Sequence, residues 1–176
     1  MKKIMIIFLS TAIVLSFTAC KKAPNAQEST TQENDKAVIS ENIGMPSPLI
    51  DCNTMEEAEK LAGFTMSLPK NLPEGYSIKL IQAIKDKLIQ VFYENGDDEL
   101  LIRKAVGKED ISGDYNNYPE NQSITVNGVT VETKGSNGKV NVATWTDGDY
   151  SYSISFQPET AGVDTDVIKD MVENIH

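Results

Sequence analysis

The sequence predicts an α+β domain: an antiparallel β-sheet meander of about six or seven strands, with a short N-terminal helix and a C-terminal helix packed on one face. Three observations lead there. From Tyr76 to Phe156 apolar residues recur with period two, the spacing of half-buried strands. Asn-Gly and Asp-Gly steps break that region at short intervals, as hairpin turns do. The stretches on either side of it, beginning at Thr54 and Thr165, carry apolar residues at helical spacing instead.

The first helix starts at Thr54, which forms a capping box with Glu57, and acidic Glu56 and Glu57 suit the positive end of a helix. Met55, Ala58, Leu61 and Ala62 share one face, and Gly63 supplies a left-handed terminator. Leu68-Pro69 and Leu72-Pro73-Glu74-Gly75 interrupt regular structure before the sheet. Cys52, just ahead of the helix and without a nearby His, is either a reactive or intermolecular thiol or a small packed residue.

Ile78, Leu80, Ala83 and Ile84 read as one strand, Leu88 to Tyr93 as the next, and Leu100 to Val106 as a third. Their turns fall at Asp86-Lys87 and Asn95-Gly96-Asp97-Asp98. Residues 107–121 are polar and are expected to form a surface loop, long enough that loops without a function become uncommon. Ile124 to Val131 then gives a hairpin around Asn127-Gly128, pairing Val126 with Val129 and Ile124 with Val131. Asn137-Gly138 turns into a strand over Lys139 to Trp145. A two-residue Asp147-Gly148 loop would set Tyr150, Tyr152 and Ile154 against the polar side of that strand. A three-residue Thr146-Asp147-Gly148 loop pairs Val142 with Tyr152 and Val140 with Ile154. A one-residue slip reverses every side chain, so the second register is expected. It puts Ser151, Ser153 and Ser155 on one face with Ala143 and Trp145. The closing helix, capped by Asp164, carries Val167, Ile168, Met171, Val172 and Ile175 as its apolar stripe. How the first three strands connect to the last four is left open.

The N-terminus gives an address. Lys2 and Lys3 precede an almost wholly apolar run, Ile4 to Phe17, which is the secretory pattern and is shorter than a membrane span. Cutting after Ala19 in the ordinary way would set bulky Phe17 at a position that wants a small residue. Phe17-Thr18-Ala19-Cys20 instead resembles the lipobox of bacterial lipoproteins, with Phe17 where that class usually has Leu. The resemblance implies cleavage before Cys20 and lipid attachment to its thiol; two acyl chains suffice for stable anchoring. Residues 1–19 are then a lipoprotein signal peptide, 20–50 a lipidated Cys with a disordered tether, and 51–176 a single domain. Lys21 to about Ile50 is too poor in apolar residues to offset the entropy of ordering. Its thirty residues span roughly 100 Å extended or about 30 Å as a coil.

The formal charge is −10 and becomes more negative when Lys2 and Lys3 leave with the signal. Such a chain is repelled by nucleic acid and by anionic lipid, so nucleic acid is excluded as a partner and the acyl chains hold the membrane. Two Cys and one His leave no zinc pattern, and no metal or cofactor is expected. The single His176 is terminal and expected to fray, which leaves no base for a nucleophile. Asp97-Asp98-Glu99 and Asp147/Asp149 are candidate carboxylate pairs, but each sits in a turn where such residues are ordinary. Asp164, Asp166 and Asp170 lack the glycine-containing loop of a calcium site. Trp145, beside Ala143, Ser151 and Ser153, reads either as a stacking platform for a peptide or glycan or as a ring packed under a helix or under the segment near Phe64.

Glu57-Ala58-Glu59-Lys60-Leu61-Ala62-Gly63-Phe64, the Leu-Pro steps ending in Leu72-Pro73-Glu74-Gly75-Tyr76, and Trp145 ahead of Asp147-Gly148 resemble the domain-of-unknown-function family 4367. The resemblance covers about residues 54–175. It implies an extracytoplasmic binding or sensing module, found alone on lipoproteins or behind a membrane segment, and it carries no catalytic residues. The expectation is therefore a non-catalytic module anchored to the bacterial cell membrane through Cys20, facing away from the cytoplasm, with an envelope protein or cell-wall material as ligand. A scaffolding lipoprotein that pairs with a membrane protein is the alternative, and a carboxylate-dependent hydrolase a more remote one.

Overall fold

A computed structural model describes residues 47–158 and 161–176. The expected signal peptide, Cys20 and nearly all of the expected tether lie outside the described residues. Ten elements follow in order: β1 (Ile50–Cys52), α1 (Met55–Ala62), β2 (Ser77–Ile84), β3 (Leu88–Asn95), β4 (Asp98–Val106), β5 (Glu120–Val126), β6 (Val129–Ser136), β7 (Lys139–Asp147), β8 (Tyr150–Gln157) and α2 (Thr165–Asn174). All strand pairs are antiparallel, in the order β1-β2-β3-β4-β8-β7-β6-β5. Two four-stranded meanders are thus joined at their edges by β4 and β8, where Leu100 pairs with Phe156 and Ile102 with Ile154.

The sheet has eight strands rather than six or seven. The additional one is β1, which pairs Asp51 with Gln82 and Cys52 with Ile81. Three residues are too few to show alternation, so from sequence this segment reads as the end of the expected tether. The Asn127-Gly128 hairpin has the expected register: Val126 faces Val129 and Ile124 faces Val131. Both turn residues take positive φ, 49° and 84°, as a type I′ turn requires.

The β7–β8 register differs from the expected one. Asp147 pairs with Tyr150 around a Gly148-Asp149 turn, so Trp145 lies opposite Tyr152 and Val142 opposite Ser155. The cause is a bulge in β7. Lys134 pairs with Val142 but Gly135 pairs with Val140, which leaves Asn141 as the extra residue. Val140 and Val142 therefore face opposite sides, and a parity count that keeps them together comes out reversed. Gly135 permits the close approach there, since a Cβ on it would collide with the Lys139 carbonyl oxygen.

One face of the sheet carries Val91, Tyr93, Ile102, Ile154, Phe156 and Trp145, all buried in a single cluster. Ala58 and Ala62 of α1 and Ile168, Met171 and Val172 of α2 belong to the same cluster. Burying each large side chain of this kind is worth roughly 1.5–3 kcal/mol. Thr54 caps α1 by accepting from the Glu57 amide at 3.2 Å, while the Glu57 carboxylate reaches back to the Asn53 amide at 2.8 Å. Gly63 ends the helix at φ 79°, its N–H donating to the Glu59 carbonyl. Asp164 is the N-cap residue of α2 but makes no side-chain cap bond; its carboxylate meets Lys139 instead. No helix among the described residues is long and apolar enough to cross a membrane.

Candidate functional site: a cavity beneath the 107–119 loop

On the opposite face, three neighbouring strands contribute polar residues at facing positions. Gln82 of β2 is paired with Gln90 of β3, and Gln90 with Arg103 of β4. Their side chains form a continuous ladder. Arg103 Nε donates to Gln90 Oε1 at 2.9 Å, Gln90 Nε2 to Gln82 Oε1 at 2.7 Å, and Gln82 Nε2 to Asp51 Oδ1 at 2.6 Å. A guanidinium can only donate and a carboxylate only accept. The two ends therefore fix both amides in one orientation, each oxygen toward Arg103 and each NH2 toward Asp51.

The ladder continues into the loop. Arg103 Nη1 donates to the carbonyls of Ile111, at 2.9 Å, and Ser112, at 2.7 Å. A Cβ on Gly113, whose φ is +64°, would lie 2.8 Å from that Nη1, so the loop backbone rests on the guanidinium. Segment 107–119 is thus no simple surface loop: Ser112 and Tyr118 are buried, and the segment roofs part of the sheet. It is held elsewhere as well. Ser151 Oγ donates to the Gly107 carbonyl at 2.9 Å, Lys134 pairs with Asp110 at 3.6 Å, and Tyr118 donates to Asp114 at 2.9 Å.

Between this roof and β2–β4 lies a cavity of about 510 Å³. Leu49, Ile84, Leu88 and Ile111 supply its apolar walls, and Tyr115, 94% exposed, is also part of its lining. Gln90 and Arg103 reach it from the sheet, with Lys87, Asp110 and Asp114 around them. Burial lowers the Arg103 guanidinium from its ordinary pKa, yet an arginine stays charged at any working pH. Burial alone would raise the Asp110 carboxyl. The hydrogen bonds from Ser112 and the Lys134 ammonium outweigh it and hold the group below its ordinary value. Size, apolar walls and a few fixed polar groups are the usual attributes of a small-molecule site.

The residues singled out from sequence are divided between the two faces. Trp145 is 6% exposed and stacks on Tyr152 at 5.1 Å, with ring planes 4° apart, on the helix-bearing side with Ala143. Ser151 and Ser153, set opposite Thr146 and Thr144, face the other way. The four do not share one surface, because the bulge at Asn141 reverses the register. Trp145 does border two smaller hollows, of about 300 and 190 Å³. Ser153 and Ser155 have buried hydroxyls without a hydrogen-bond partner among the described residues.

Cys52 is half-buried and its thiol donates to the Ile50 carbonyl at 3.6 Å. Burial, then Glu57 and Asp51, push its pKa up, which disfavours the nucleophilic thiolate. His176 is hydrogen-bonded to the segment after α1: Ser67 donates its N–H to the His176 main-chain oxygen at 3.0 Å, and Ser67 Oγ lies 3.1 Å from Nε2. Among the described residues no Asp or Glu carboxylate lies within 4 Å of that imidazole to orient it. No group of three or more His, Cys, Asp or Glu side chains suited to a metal ion is found among the described residues.

Fold and cavity together define the class, an α+β domain built on one antiparallel sheet, with a hollow of ligand-binding size on the side away from its buried core. Residues 67–175 match the family described as Domain of unknown function (DUF4367), and the chain belongs to that family. The match begins after α1, so β1 and α1 lie outside it. No curated protein and no solved structure matches the chain.

Proposed function

We propose that this chain is a lipid-anchored, extracytoplasmic, non-catalytic binding or sensing module of the bacterial cell envelope, and that it takes its ligand in the cavity beneath the 107–119 loop. The observation that carries the binding reading is that cavity, about 510 Å³ with apolar walls and the Gln90–Arg103 pair fixed at its base. The location rests on the signal pattern and on Cys20 as lipid attachment site. The tether gives the domain reach above the membrane surface. Intact mass of the membrane-extracted protein tests the anchor. A chain beginning at Cys20 with added acyl mass, lost in Cys20→Ser, is expected. An unmodified chain in the soluble fraction would remove the envelope address.

A scaffolding lipoprotein is the second reading. Ile50 and Ile78 are about half exposed near the outer edge of the sheet, where β1 covers β2 only from Ile81 to Ala83. Stoichiometric co-purification with one membrane protein, abolished by Ile78→Lys, would favour it over a small-ligand module.

A further inference from the structure

We propose that the cavity beneath the 107–119 loop is selective for anionic amphiphiles, specifically carboxylates with an apolar body, and that Arg103 is the anchor for the carboxylate. The inference rests on the binding-module reading and adds the ligand's chemical class.

It comes from accounting for the charges around the cavity. Among the described residues, neither Arg103 nor Lys87 has a carboxylate within 4 Å. Both acids of the lining are already engaged. Asp110 holds Lys134 and the Ser112 amide, while Asp114 accepts from Tyr118, Gln157 and the Asn116 amide. Two cations at the lining therefore have no ion-pair partner within 4 Å among the described residues, in a protein whose net charge is −10.

Arg103 is also pre-oriented. Its Nε is committed to Gln90 and its Nη1 to two loop carbonyls, which leaves Nη2 outside these three bonds. Three fixed bonds hold the guanidinium plane, so a carboxylate arriving at the remaining edge orders little that is not already ordered. The apolar walls at Leu49, Ile84, Leu88 and Ile111 suit the body of the same molecule. A cation at the base of an apolar hollow matches an acid with a hydrocarbon portion better than it matches a sugar or a cation.

Calorimetry on the full chain in zwitterionic nanodiscs, with empty nanodiscs as blank, tests this with 4-phenylbutanoate, 4-phenylbutanol and 4-phenylbutylamine. The acid is expected to bind about tenfold or more tighter than the alcohol, the scale of a charge-assisted bond, with the amine weakest. Arg103→Gln should abolish the acid's advantage while the alcohol still binds, which shows the cavity intact. Lys87→Gln is exposed and spares the ladder; it should reduce the advantage by a smaller factor, about two- to threefold, even if the Arg103 variant does not fold. Equal binding of acid and alcohol, or preference for the amine, would overturn the ligand class and leave the cavity as a binding site. No heat from any of the three would overturn the cavity reading as well.

Discussion

Arg103 and Lys104 are neighbours on β4, and the strand sends them to opposite sides of the sheet. Lys104 enters the helix-bearing side, where it is buried. Its ammonium donates to the Thr65 carbonyl at 2.8 Å and lies 4.5–5.6 Å from the ring centres of Tyr150, Tyr152 and Phe64. One carbonyl and three aromatic rings surround the ammonium, so the charge is absorbed into the packing. Arg103 enters the loop-bearing side, where Gln90 and two loop carbonyls hold it beside a hollow. The same strand thus uses one cation to close a core and the other to face a cavity. Burial by itself does not tell structure from site; what matters is whether the space around the group is filled.

That contrast can be broken most severely on the helix-bearing side. Trp145→Ala removes a stacked, buried ring and should cost about 3–5 kcal/mol in urea unfolding followed by circular dichroism. Loss of ligand binding without loss of stability would return Trp145 to the role of platform. Alkaline pH is the next lever. Burial pushes Tyr93 to about 12; burial, then Asp147 and Tyr150, push Tyr152 to about 12. The unfolded chain gives up these protons near pH 10 while the folded chain keeps them. Stability is therefore lost as pH climbs from about 10 toward about 12, and Tyr93→Phe should remove its share of that loss.

Lys104 works in the other sense. Burial lowers its pKa, against smaller raising effects of Asp147 and Glu59, so just below about 10.4 the unfolded chain holds the proton that the folded chain sheds. Stability rises with pH through that window. Lys104→Met should cost about 1–2 kcal/mol at neutral pH, from the lost Thr65 bond and ring contacts, and should abolish the rise. The smallest effect belongs to the loop-bearing side and has the opposite sign. Ser155→Ala removes a buried hydroxyl with no partner among the described residues and should raise stability by up to about 1 kcal/mol. A loss instead would reveal a buried water bound to that hydroxyl.

Much of the sheet was legible because its signals are local. Asn127-Gly128 specifies its own turn, and with it the pairing of Val126 to Val129. Thr54 and Gly63 mark the ends of α1 by side-chain reach and by φ. The β7–β8 register was not legible, because the bulge depends on how closely Gly135 of β6 approaches Lys139 across the Asn137-Gly138 turn, and a count of alternating residues along β7 does not register that approach. The cavity escaped notice for a different reason. Gln82, Gln90 and Arg103 each look like ordinary outward polar residues of a strand. Only when the two hairpin registers are laid side by side do they fall in one row. The loop that roofs them stands out in the sequence by its length, but nothing in its polar composition says that its carbonyls meet an arginine.

The junction of β4 with β8 has a consequence for how the chain comes into being. On the export route proposed above, the chain would emerge N-terminus first, so β1–β4 would be outside while β8 is still to follow. Until β8 arrives, β4 exposes the main-chain groups that will later bond it, alongside apolar Leu100 and Ile102. That is the profile of an edge open to intermolecular pairing, and closing it requires a contact between distant parts of the chain, the kind that forms slowly. Newly exported molecules would thus pass through an aggregation-prone interval. Attachment of the N-terminus to a membrane, at low surface density, would keep such half-finished sheets apart.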